Sequence, residues 1–440
     1  MRIYALREMG KERYDEMKHR SSRNIMNDEI FEKVKAIADD VIKYGDRAVA
    51  ENTKKYDNVQ LSPDTLLVRE EEFESAWANT SDEVKESIKI AVENAAKYNT
   101  CIKPPEMETY AISDGILAGR KTSPLNRAAL YVPCGKGSYP SSFITIAIPA
   151  VVAGVKEIVA IVPPKADGAV DAAVLVAAKI LGISTVYRGN GPSIIFAAAF
   201  GTDLLPKAEK IIGPGSEYIM AAQMYAQLKG VSIGLFYGPS ECMIIADDTA
   251  NPALIAADLI NEAEHGMNSS AILITDSEEI AASVQKLVDI QIERLPEWRK
   301  KYAESALTLY GGIVVVDNMD EAVVLANDWG NEHIQVATKN SWDVAKRING
   351  ASELLIGQYS TFSAISYAAG VPACLPTGQF SKIHSGVTVD TFLKVSAITE
   401  LNKTGLQTLA DPIKTLSKYE GFPGLTNSII IRQENGIISR

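Results

Sequence analysis

The sequence predicts an α/β protein built as two successive Rossmann-like parallel-sheet domains, with a helical arm before them and a helical tail after them. Three observations predict this. From Arg127 onward, short apolar runs alternate with helical stretches, the pattern of βαβ units. That series occurs twice at comparable size, which suggests two similar domains. The flanking segments are charged, with apolar residues at helical spacing.

Taken in order, residues 1–120 form the arm, read as helices on a small amount of strand. DEIFEKVKAIADDVIKYGDRAVAENTKKY spaces its apolar residues by three and four, and SDEVKESIKIAVENAAKYN repeats the pattern after a Ser-Asp N-cap signal. Residues 121–241 hold the first α/β series, with strands in RAALYVP, EIVAIV, STVY and EKIIG, and helices in GAVDAAVLVAAKILG, PSIIFAAAFG and SEYIMAAQMYAQLKG. Residues 242–380 hold the second, with strands in CMIIAD, AILIT, GGIVVVD, HIQVAT and SELLIG. Residues 381–440 are polar and again helical, chiefly in LNKTGLQTLADPIKTLSKYEG, and read as a tail without a core of its own.

The chain has 440 residues, is 46% hydrophobic and carries a net charge of -11. That charge argues against nucleic acid as a partner, since binding a polyanion draws on clustered Lys and Arg. The N-terminus has no apolar core of signal-peptide length, and no window offers about 18 uninterrupted apolar residues. A cytoplasmic protein acting on a small molecule, away from membranes, is the expectation. The four cysteines, Cys101, Cys134, Cys242 and Cys374, lack CxxC spacing and fit reduced core or loop residues. Imidazole chemistry must come from His19, His265, His333 or His384.

Ligands in such folds sit beyond the carboxyl ends of the strands, so the strand-to-helix turns are the first places to look. YVPCGKGSYPSS follows the first strand with glycines that free backbone amides. RGNGPS (188–193) and IGPGSE (212–217) each lead into a helix whose N-terminus could hold phosphate, although neither is a full GxGxxG. In YGPSECMIIAD, Ser240 either faces a cleft between the domains or merely helps close a tight turn; Cys242 opens an apolar strand and reads as core. In NEAEHGMNSS, Glu262 and His265 stand three apart at a helix end. They could share a metal, or the histidine could simply cap the helix. WGNEHIQV sets Glu332 beside His333. Adjacent strand residues point to opposite faces, whereas at a loop-like strand mouth both could reach one substrate; the pattern leaves both readings open.

Together NRAALYVP, AFGTDLLPKAEKIIGPGS, GPSE, EAEHG and NEH, in this order, resemble the histidinol dehydrogenase family from about Arg127 to the C-terminus. The resemblance implies oxidation of an amino alcohol through an aldehyde with two NAD molecules, a zinc ion, and a homodimer with an interlocked C-terminal tail. It makes His333 the base and Glu332 the activator of water. Ser240 becomes a substrate contact, Glu420 in KYEGFPG a tail residue that reaches substrate in the partner subunit, and Tyr131 a neighbour of the NAD adenine side. Positions that touch NAD in the family fall on Ser193 and Ser216. The family's four zinc ligands fall on Glu262, His265, Ser366 and Leu425, of which only the first two can ligate, and a substrate-contacting histidine falls on Ala373. The expectation is therefore a divergent, zinc-independent member that oxidises a polar alcohol other than histidinol, with Glu262 and His265 left as substrate contacts. Its alternatives are a true zinc-dependent histidinol dehydrogenase with rearranged ligands, or a binding protein or lyase on the same scaffold.

Overall fold

The computed structural model describes residues 1–19, 28–133, 137–234 and 237–439. The chain divides into two compact units: 1–102 with 125–392, and 103–124 with 393–440. In chain order the strands are β1 (Ile3–Ala5), β2 (Met107–Ser113), β3 (Ile116–Pro124), β4 (Arg127–Tyr131), β5 (Glu157–Val162), β6 (Thr185–Arg188), β7 (Lys210–Ile212) and β8 (Ser232–Ile233). They continue with β9 (Glu241–Ala246), β10 (Ser270–Thr275), β11 (Gly312–Val315), β12 (Asn331–Ala337), β13 (Ala351–Ile356) and β14 (Leu393–Leu401).

The larger unit contains two parallel sheets, ordered β6-β5-β4-β7-β8 and β1-β11-β10-β9-β12-β13. The α/β expectation is met, and the two sheets share one winding. In each, the chain starts at a central strand, steps outward twice, then returns to the other side, so strand order reverses between β4 and β7 and again between β9 and β12. β9 is buried along its whole length because helices cover both faces of the sheet, which is why its sequence, ECMIIA, is a continuous apolar run after Glu241. Side chains set the starts of the covering helices. Asn251 accepts from the Ala253 amide, Ser277 from Ile280 and Asn318 from Glu321. The N-terminal helices Asp28–Tyr44 and Asp46–Asp57 place Val34, Ala38, Val41, Ala48 and Val49 in the same core cluster as Ile194, Phe196 and Ile211. The arm thus closes one face of the first sheet.

The smaller unit holds what the sequence reading passed over. β2 and β3 form an antiparallel hairpin, and β14 pairs along β3 from Leu393↔Pro124 to Leu401↔Ile116. The tail is therefore not wholly helical. The Asp114-Gly115 turn, with Gly115 at φ +75°, was a legible hairpin signal. β14, largely exposed, carries no clean apolar alternation to announce it. Helices Lys403–Tyr419 and Pro423–Glu434 complete this unit around Ala410, Ile429 and Ile438.

Cys242 and Cys374 are buried and Cys101 exposed, all as free thiols; Cys134 lies outside the described residues. No helix among the described residues is long and apolar enough to cross a membrane.

Candidate active site

β12 reads NEHIQVA and every residue of it is buried. Four polar side chains in a central parallel strand carry a desolvation penalty unless each finds a partner, so their presence marks a site. Glu332 and His333 both lie within the strand, not on a loop before it. Successive strand residues start toward opposite faces, yet the two side chains converge at the strand's amino end, with His333 Nε2 3.8 Å from Glu332 Oε1. The Glu241 amide donates to Glu332 Oε2 at 3.0 Å. Parallel register sets His333 opposite Cys242 on β9 and opposite Glu353 on β13. The imidazole Nδ1 lies 2.7 Å from Glu353 Oε2, and Phe362 meets the ring edge-on at 5.7 Å between centroids.

The site therefore occupies the amino edge of the second sheet, at the point where strand order reverses. The cluster thus lies at the strand starts and not beyond the carboxyl ends where such folds usually hold ligands, and Ser240 immediately precedes β9. Ser240 is half-buried, and its carbonyl accepts from the Ser270 amide. It is thus one residue from the amide that holds Glu332.

Three carboxylates, Glu332, Glu353 and Glu262, act on one imidazole. Burial pushes the Glu332 carboxyl up to about 8, opposed by the neighbouring His333 and reinforced by Glu262 and Glu241. For His333, burial acts downward, but Glu332, the hydrogen bond to Glu353, and Glu262 together carry it up to about 9. Glu332 and His333 titrate as a pair, so their two proton losses belong to both groups. The Glu241 carboxylate itself accepts from the Gly378 amide at 3.2 Å. Burial raises the Cys374 thiol to about 12, against a hydrogen bond from Tyr237, which makes it a poor nucleophile at neutral pH.

Glu262 is buried in the last turn of helix Pro252–Ala263, while His265 lies just past the helix and is exposed. Its Nδ1 stands 3.1 Å from the Asn261 carbonyl and 3.7 Å from Glu262 Oε2, so the histidine does cap the helix end and also sits near the carboxylate. Ser366 lies in helix Phe362–Tyr367, and Leu425, 57% exposed, lies in the smaller unit. Among the described residues no three His, Cys, Asp or Glu side chains are grouped to hold a metal ion. Two donors do not make the four-ligand zinc site implied by the resemblance.

The carboxyl edge of the first sheet is a separate locus. Tyr131, at the end of β4, donates to Asn190 Oδ1 at 2.7 Å, and Asn190 donates to Asp57 at 2.7 Å. Asn190 lies in the RGNGPS turn but was not singled out by the sequence. Ser193 is only 1% exposed, in the first turn of helix Gly191–Phe200, and its hydroxyl has no hydrogen-bond partner among the described residues. Ser216 is exposed at the N-cap of helix Glu217–Leu228 and makes no side-chain cap bond, so that helix start keeps amides available to an anion. Gly213, at φ +144°, brings its backbone against the Tyr131 carbonyl, where a Cβ would come within 1.9 Å. A close turn, uncapped helix amides and a fixed tyrosine hydroxyl fit a dinucleotide. Glu420, exposed at the end of helix Lys403–Tyr419, belongs to the smaller unit.

A doubly wound α/β scaffold with a dinucleotide-type edge on one sheet and a buried imidazole–carboxylate cluster on the other defines a dehydrogenase-like enzyme class. The histidinol dehydrogenase family model matches residues 20–433. The chain is 37% identical over 438 residues to histidinol dehydrogenase of Synechocystis sp., spanning 99% of this chain and 100% of that protein. It is 36% identical over 441 residues to a histidinol dehydrogenase homolog of Colwellia psychrerythraea, spanning 100% and 98%. The crystal structure of histidinol dehydrogenase from Elizabethkingia anophelis superposes with a TM-score of 0.93 at 31% identity, over 99% of this chain and 98% of that one. This chain belongs to the histidinol dehydrogenase family, whose members are NAD-dependent oxidoreductases acting on CH-OH groups. A betaine aldehyde dehydrogenase from Staphylococcus aureus shares the fold alone, at 13% identity and a TM-score of 0.51, over 89% of each chain.

Proposed function

We propose that the chain oxidises a small polar alcohol with NAD, with histidinol as the leading substrate. Full-length relatives named histidinol dehydrogenase favour histidinol over the expectation of a different alcohol. The observation that carries the chemistry is the buried His333 imidazole, tethered at Nδ1 and open at Nε2 toward Glu332.

In this reading the substrate hydroxyl gives its proton to His333 Nε2 while the carbinol hydrogen departs with its electron pair, leaving a carbonyl. NAD, when bound, accepts that hydride. Tyr131, Ser193 and Ser216 flank its site on the first sheet. The Ser240 hydroxyl hydrogen-bonds the reacting oxygen. Glu262 and His265 line the substrate's polar end. If the carbonyl is carried on to an acid, Glu332 takes a proton from the attacking water, which requires its own carboxyl to be ionised and so favours alkaline pH, and the hydrate so formed would give up its carbinol hydrogen as hydride to a second NAD. The chain acts as a homodimer whose interlocked tail brings Glu420 of one copy to the substrate of the other. A compact monomer by light scattering at micromolar concentration would count against that arrangement.

A second reading, oxidation of a different polar alcohol without zinc, draws on Ser366, Leu425 and Ala373 at positions where the family resemblance implies ligands. The two separate in one experiment: NADH formation from L-histidinol and from a panel of amino and polar alcohols, with zinc measured before and after dialysis against chelator. Saturable NADH formation from histidinol supports the first reading. Turnover confined to another alcohol, unchanged by chelator, selects the second. Failure to bind NAD by calorimetry removes both.

A further inference from the structure

We propose that Glu353 is a positioning residue that holds the His333 ring in one tautomer and orientation, so that Nε2 alone faces the reacting alcohol. The role rests on the proposed use of His333 as base, but the geometry is independent of the substrate. His333 and Glu353 are register partners on adjacent parallel strands, so their side chains leave the sheet on the same face. Their atoms meet at 2.7 Å, a charge-assisted distance, with the side chains 7% and 9% exposed.

An ionised carboxylate only accepts, so Nδ1 must carry the hydrogen. In the neutral ring the lone pair then sits on Nε2, the nitrogen directed to Glu332. Once the ring has taken the alcohol proton, the positive charge is offset by a carboxylate already in contact with it. The support around the pair is rigid. Phe362 packs the ring edge-on, and Ser352, beside Glu353, donates to the Pro376 carbonyl at 3.1 Å and anchors the edge strand β13. Glu332 from β12 itself and Glu262 from helix Pro252–Ala263 are the other charged groups acting on the ring, and Tyr98 of helix Asp82–Ile102 interacts with Glu353. Glu353 stands in ASELLI, where nothing but its register marks it. A glutamate buried in a strand without a cation would be unstable there, so the residue's placement is explained by the imidazole. Its second oxygen, Oε1, is buried without a hydrogen-bond partner among the described residues, so the carboxylate's one polar contact of this kind is the histidine.

The test uses the full-length chain labelled with 15N-histidine and read by NMR without substrate, at a pH where the ring is neutral. His333 is assigned by its disappearance in His333→Asn. The expected wild-type pattern is Nδ1 protonated and Nε2 bare. Glu353→Gln keeps an accepting oxygen and should keep the tautomer, whereas Glu353→Ala should yield a mixture. With L-histidinol and NAD, kcat should fall by about 10²- to 10⁴-fold in Glu353→Ala, the range seen when a carboxylate that orients a catalytic histidine is removed. KM for NAD should stay within about twofold, since the NAD locus is on the other sheet. Glu353→Asp should recover part of the loss. An Nε2-protonated ring in the wild type, or the same tautomer in Glu353→Ala as in wild type, overturns the proposal even if activity falls. Should Glu353→Ala not fold, Glu353→Leu, which fills the space without an accepting oxygen, decides: a mixed or switched tautomer with reduced kcat supports the role, and the wild-type tautomer refutes it. Absence of histidinol oxidation in every form would defeat the proposed substrate and leave the tautomer result to stand alone.

Discussion

Replacing His333 with Asn removes two things at once, and the structure allows their sizes to be separated. The first is the base. A positioned general base contributes roughly 10²- to 10⁴-fold, or about 2.7–5.4 kcal/mol of transition-state stabilisation. The second is the cation among Glu332, Glu353 and Glu262. Removing one partner of a buried ion pair typically costs about 3–5 kcal/mol of stability. The variant should therefore melt earlier but remain folded, bind NAD within about threefold of wild type, and lose turnover by two to four orders of magnitude. The wild-type pH profile carries the sign. His333 must be unprotonated to act, and its neighbours hold it up to about 9, so kcat/KM should climb with pH and level off near that value. In His333→Asn that rise should flatten. The assay is initial-rate NADH formation from pH 6 to 10, with NAD affinity by calorimetry and a urea melt on the same preparations. Turnover within about threefold of wild type, at full NAD occupancy, would be incompatible with a base at this position.

Other expectations follow from neighbouring contacts. Glu332→Gln should leave the first hydride transfer within about tenfold while blocking hydration of the carbonyl; a carbonyl trap should then capture product that wild type carries through to the acid. Tyr131→Phe deletes the hydrogen bond to Asn190 and should raise KM for NAD by about five- to tenfold with kcat nearly unchanged, the worth of one buried hydrogen bond. An equal loss in kcat would argue that Tyr131 serves the chemistry instead. Gly213→Ala forces a Cβ to within 1.9 Å of the Tyr131 carbonyl at a backbone angle that L-residues avoid. Stability should fall by about 3 kcal/mol or more, read as a lower urea midpoint; an unshifted midpoint would show that the turn relaxes.

Local chemistry made much of this molecule readable in advance. The apolar run of β9, the helix spacing of the arm, and the Asn251 and Ser277 caps are decided within a few residues of where they act, and hydrophobic period and cap geometry are short-range signals. The Glu332-His333 pair was legible for the same reason: two polar side chains stood at the head of an apolar strand. What the sequence could not decide was which residues the strands bring together. Glu353 lies twenty residues beyond His333, in a strand that reads as ordinary, and becomes its partner only through the register of β12 against β13. β14 joins β3 across more than 260 residues. The placement of the site at the amino edge of the second sheet also follows from tertiary structure alone, because it depends on where the chain reverses strand order. Register and winding are settled by the packing of the whole core, so the sequence around any one residue carries no record of them.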